Sequence, residues 1–139
     1  MTSVDFHFNV TDKAGLLSVL VQRALQREQQ VMITVPDERA ATDLSRALWQ
    51  HVQTSFLPHA LIGQDVVAPV LIHWGNAAMQ YDELLINLAF QQPSGFSRFK
   101  QLVELVGLDE QEKVAARKRY KFYRDRGYSI NHFDQAMSE

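Results

Sequence analysis

A chain of 139 residues with 46% hydrophobic side chains and a formal charge of −2 is expected to form one domain, residues 1–139, with a core large enough to stand without covalent staples. Four prolines and six glycines at that hydrophobic content exclude a disordered chain, and the absence of cysteine excludes a disulfide framework and thiolate chemistry. No stretch approaches the roughly 20 apolar residues of a membrane helix, and the start M-T-S-V-D-F-H-F lacks the basic region and apolar core of a secretory leader, so a soluble, intracellular protein is expected.

Residues Val4 to Asn9 alternate with period two and predict a strand with Val4, Phe6 and Phe8 on its buried face. Thr11 is placed to cap the helix that follows. From Asp12 to Gln29, Leu16, Leu17, Val19, Leu20, Val21, Ala24 and Leu25 recur at helical spacing. Gln30 to Pro36 is β-branched and nearly continuous, as a strand buried on both faces requires, and strand, helix and strand together make a right-handed crossover. A second helix opens at Asp37, with two acids in its first turn where the dipole favours them, and runs to about Val52.

The segment from Thr54 to Gly63 carries Phe56, Leu57, Leu61 and Ile62 and is more apolar than a solvated loop. Pro69 to Trp74 reads as a third strand, Gly75 to Gln80 as a turn, and Glu83 to Phe90 as a fourth strand. After the break at Pro93 to Gly95, Phe99, Leu102, Val103, Leu105 and Val106 return to helical spacing, which predicts a helix over 96–106. A last helix begins at about Asp109 and stops at Gly127, and residues 128–134 form a short tail over the surface. The order β-α-β-α-β-β-α-α implies a three-layer, Rossmann-like α/β fold. Its sheet is mixed and mostly parallel, with helices on both faces.

The last helix concentrates the charge. From Lys113 to Arg126 there are seven basic residues and one acid, a balance of +6, while the rest of the chain holds seven basic and fifteen acidic residues, a balance of −8. At 100° per residue, Lys113, Arg117, Tyr120, Lys121 and Arg124 fall within an arc of roughly 100°. Such a polarised field steers anionic partners toward one face. Ala115, Ala116, Phe122 and Tyr123 give the other side an apolar surface for docking on a core, interrupted by Arg119 and Arg126.

Signals for catalysis are missing. The first strand-to-helix turn, N-V-T-D-K-A-G-L, has neither G-x-G-x-x-G nor G-K-[ST]. The histidines His7, His51, His59, His73 and His132 are scattered without metal-ligand spacing, although His7 and His73 lie in strand patterns and could meet across the sheet. Asp82, Glu83, Asp109 and Glu110 read as surface or first-turn acids. No nucleophile has an evident base, so the expectation is a protein with no catalytic residues, cofactor or metal. Two other readings of the basic face stay open, direct nucleic-acid binding and a degenerate nucleotide-handling enzyme.

Four patches carry a family resemblance: A-L-W at 47–49, S-F-L-P-H-A-L at 55–61, A-P-V-L-I-H-W at 68–74 and R-Y-K-F-Y-R-x-x-G at 119–127. In this order and spacing the chain resembles the chi subunits of bacterial DNA polymerase III, accessory subunits of the replicase clamp loader. The resemblance implies a non-catalytic, cytoplasmic adaptor for DNA replication, with neither membrane association nor strong DNA binding of its own. One side would bind the acidic carboxyl-terminal tail of single-stranded DNA-binding protein, and the other the psi subunit of the clamp loader. Carried over residue by residue, the tail-binding positions are Lys113, Arg117, Tyr120, Lys121 and Arg124, with Val106 in the apolar pocket. The psi-facing positions are Trp49, Val52 and Phe56, with Val52 standing where the family can carry a proline.

Overall fold

The protein is seen in a computed structural model that describes residues 1–51, 59–61, 69–75 and 81–137. Seven strands and three helices make up the regular structure of these residues. They run β1 (Ser3–Phe8), α1 (Lys13–Gln26), β2 (Val31–Thr34), α2 (Glu38–His51), β3 (His59–Leu61), β4 (Val70–His73), β5 (Leu84–Asn87), β6 (Gln101–Leu105), α3 (Glu110–Asp125) and β7 (Ser129–Asp134). Short 3-10 turns stand at Phe96–Arg98 and Gln135–Met137. The strands form one sheet in the order β3-β4-β2-β5-β6-β1-β7. Every neighbouring pair is parallel, the limiting case of the mostly parallel sheet expected.

Period-two alternation sorts the interior strand residues onto two faces. Val31, Ile33, Val70, Ile72, Leu84, Ile86, Val103 and Leu105 join Leu17, Val21 and Ala24 of α1 and Ala41 and Leu48 of α2 in one core. Val4, Phe6, Met32, Leu71, Leu85 and Leu102 face the other way and pack with Phe96, Phe99 and the α3 residues Ala116 and Tyr123. The result is three layers, with α1 and α2 on one face and α3 on the other. Burying each of these large side chains contributes about 1.5–3 kcal/mol, and both faces need the chain order observed.

Four local expectations are corrected. The segment 96–106 is a 3-10 turn followed by strand β6, between β5 and β1, and not a helix. Its run Leu102-Val103-Glu104-Leu105 is buried on both faces, and such a run satisfies helical spacing and an interior strand equally. The tail 128–134 does not simply lie over the surface but forms β7, a parallel edge strand beside β1. It shows little apolar signal because most of its residues are exposed, and side-chain bonds help hold it, from Asn131 Nδ2 to Asp5 Oδ1 at 2.9 Å and from Asn9 Nδ2 to Asp134 Oδ1 at 2.9 Å. Asp12, rather than Thr11, caps α1, its Oδ1 accepting from the Gly15 amide at 3.0 Å. Finally, β3 lies within the segment read as a packed loop.

His7 and His73 do not meet, because β1 and β4 are separated by β2, β5 and β6. His7 stacks on Phe133 at 4.7 Å and accepts a hydrogen bond from Gln135 Nε2 at 2.8 Å, while His73 lies beside Thr34 Oγ1 at 3.5 Å. Burial holds the His7 imidazole below the usual histidine range, against the raising effect of Asp5, which agrees with its Nδ1 acting as an acceptor.

Candidate binding groove on the third helix

Helix α3 owes its position to both ends and to its inner stripe. Asp109 caps the start, its Oδ2 accepting from the Glu112 amide at 3.3 Å, and Glu112 reaches sideways to pair with Lys13 of α1 and to accept from the Gly107 amide at 3.3 Å. At the far end Gly127 takes φ +80°, with Gly127 N–H donating to Arg124 O at 3.0 Å and Tyr128 N–H to Tyr123 O at 3.1 Å. That pair of bonds is the Schellman arrangement, which a residue with a Cβ would strain. Between the ends, the buried stripe is Ala116, Arg119 and Tyr123.

Arg119 is therefore not an interruption of the docking surface but part of it. Its Nε donates to Glu104 Oε1 at 3.1 Å and its guanidinium to the Phe90 carbonyl at 2.7 Å. Glu104, fully buried on β6, also accepts from Tyr123 Oη at 2.7 Å and Asn87 Nδ2 at 2.9 Å. Burial raises the Glu104 carboxyl above the ordinary range, while Arg119 and the donated hydrogen bonds work against that rise. Burial and the adjacent Glu104 push the Tyr123 phenol up, so it stays protonated and remains a donor. With Glu104 fixed in the sheet, these bonds set the rotation of α3 about its axis. The signal lay in Glu104, an acid in the middle of an apolar strand, with the misfit Arg119 to answer it.

Once α3 is fixed in rotation, Lys113, Arg117 and Tyr120 line one flank of it. With Phe6, Phe8, Val106 and Ala116, and with Asn9 and His132 of β7, they line an open groove of about 350 Å³. Val106 is held there by backbone bonds on both sides, its amide to His7 O at 2.9 Å and its carbonyl from the Val10 amide at 3.0 Å. The Tyr120 ring lies between Phe6, centroids 5.6 Å apart, and His132, at 5.2 Å. Asn9 takes φ +58°, a left-handed conformation that asparagine tolerates better than most residues.

Four of the six expected positions, Val106, Lys113, Arg117 and Tyr120, thus meet in one groove. Lys121 and Arg124 are exposed on α3 and lie outside its lining. Arg117 is 3.7 Å from Glu110 and Arg124 is 3.5 Å from Asp125, all four side chains half-exposed or more. Pairs of this kind contribute little, so the cations can exchange them for a ligand at small cost. Phe6 and Phe8 were missed as groove residues because β1 is far from α3 in the chain, and His132 because the segment after α3 was read as a surface tail rather than a strand. Trp49 lies in the last turn of α2, where the description covers backbone alone, and Val52 and Phe56 lie outside the described residues. Among the described residues no three His, Asp or Glu side chains gather to hold a metal ion, and no helix is long and apolar enough to cross a membrane.

The chain has well-defined relatives. The family described as DNA polymerase III chi subunit, HolC, matches residues 1–131. The DNA polymerase III subunit chi of Pseudomonas aeruginosa is 33% identical over 134 residues, 94% of each chain. The proteins of the same name from Haemophilus influenzae and Escherichia coli (strain K12) are 33% and 34% identical over 106 residues, 74% of this chain and 74% and 72% of theirs.

Proposed function

This chain belongs to the DNA polymerase III chi subunit family, and on that premise we propose that it is a single-domain, non-catalytic cytoplasmic adaptor whose α3 groove binds the acidic tail of single-stranded DNA-binding protein. The observation that carries this reading is the convergence of two cations, Lys113 and Arg117, with Tyr120 and the apolar lining around Val106. A peptide's carboxyl terminus has these two needs at once, donors for its carboxylate and cover for its last side chain.

Arg117, or Lys113 beside it, takes the terminal carboxylate in charge-assisted hydrogen bonds, and Val106 and the Tyr120 ring bury the last side chain. Outside the groove, Lys121 and Arg124 attract the acidic residues upstream, a long-range contribution that speeds encounter more than it deepens the complex. The net negative charge of the rest of the chain turns the same peptide away from other faces. Trp49, with Val52 and Phe56, makes the contact with the psi subunit, as the family resemblance implies.

Calorimetric titration with an acidic peptide ending in Pro-Phe tests the tail site. Arg117→Ala is expected to weaken binding by about 1.5–3 kcal/mol, the scale of a hydrogen bond to a charged group. Unchanged affinity would remove Arg117 from the site.

A further inference from the structure

The opposite flank of α3 carries a second open groove, of about 760 Å³, bordered by Phe90, Val114, Lys118 and Phe122. Phe90 is 50% exposed and Val114 is 42% exposed, so apolar surface is open to solvent in this groove. The shape of this flank is well supported, since the Arg119 guanidinium holds the Phe90 carbonyl at 2.7 Å and the Arg126 guanidinium lies 3.5 Å above the Phe122 ring. Arg117 lines the first groove and the very next residue, Lys118, lines the second. Exposed Lys121 follows one turn further along the same ridge.

We infer that one acidic peptide occupies both grooves, with its carboxyl terminus beside Lys113 and Arg117 and an apolar side chain further upstream between Phe90, Val114 and Phe122. This rests on the proposed tail site. Charge complementarity selects the occupant: on the ridge that joins the grooves the exposed cations Arg117, Lys118 and Lys121 outnumber Glu110, which pairs with Arg117 at 3.7 Å, so acidic residues are drawn along it. Geometry sets the spacing. A helix with its side chains is about 10–12 Å across and an extended chain advances roughly 3.3–3.6 Å per residue, so about four residues span the ridge. The upstream apolar residue therefore falls about five to seven positions before the terminus.

Two synthetic peptides test this by calorimetry on the intact protein, a short one of about four aspartates followed by Pro-Phe and a long one extended by about six residues with a phenylalanine about seven from the end. The long peptide is expected to bind about tenfold tighter, the return for covering one aromatic ring. Replacing its upstream phenylalanine by alanine returns it to the short peptide's affinity. The F90A/V114S double variant abolishes the long peptide's advantage yet binds the short one within about twofold, which also shows that the variant is folded. Equal affinity of the two peptides for the wild-type protein, or an advantage that survives in the double variant, overturns the second groove alone. If the short peptide does not bind at all, the tail site falls and this inference falls with it.

Discussion

Replacing Arg119 by methionine keeps the length and apolar stem of the side chain but removes its charge. Glu104, with no exposure, then loses the partner at 3.1 Å that offsets its desolvation, and the Phe90 carbonyl loses its donor at 2.7 Å. Breaking one side of a buried pair costs about 3–5 kcal/mol. For a chain of this size that lowers Tm by roughly 10–15 °C. Urea and thermal unfolding followed by circular dichroism measure the change. In the E104Q/R119M double variant the uncompensated charge is gone while Gln can still accept from Tyr123, so it should be more stable than R119M, with a coupling of about 2 kcal/mol. If R119M costs less than about 1 kcal/mol, or if the double variant shows no coupling, the account of how α3 is locked in rotation is refuted.

The pH dependence follows from His7. Because the folded state holds the imidazole below its ordinary range, the unfolded chain takes up the proton first as pH falls. The contribution of neutral His7 is thus fully present above about pH 7 and is lost as pH falls through the ordinary histidine range toward the lower folded value. Wild-type Tm should fall between about pH 7 and pH 5, and H7Q should show a shallower fall; parallel profiles would contradict this. For the second partner, Trp49→Ala and Phe56→Ala should abolish co-purification with the psi subunit while leaving tail-peptide affinity unchanged, and retention of psi by both variants would exclude that surface.

The elements legible from sequence were those in which pattern and environment agree. β1, β2, β4 and β5 showed alternation or continuous apolar runs, α1 carried an apolar stripe, and α2 was marked by the acids at its start. For α3 the cap at Asp109, the acids of the first turn and Gly127 mark both limits. What escaped reading depends on neighbours distant in the chain. The run around Glu104 could satisfy either period until β1 and β5 flank it, and β7 is a strand because β1 offers it a ladder, not because its own residues demand one. The cations of the groove were visible as a helical arc, but the arc included Lys121 and Arg124, which the rotation set by Arg119 leaves on the outer surface. The lining from Phe6 and Phe8 could not be read from α3 at all.

The most direct test of the central claim compares one acidic peptide ending in Pro-Phe with a free terminal carboxylate and the same peptide amidated, titrated into the wild-type protein at low and at moderate salt. If Lys113 and Arg117 hold a chain end, the amidated peptide loses at least tenfold in affinity at both salt concentrations, about 1.4 kcal/mol or more. Equal binding of the two forms, falling together as salt rises, would mean that the basic helix attracts negative charge in general, and the groove would not be a carboxyl-terminus site.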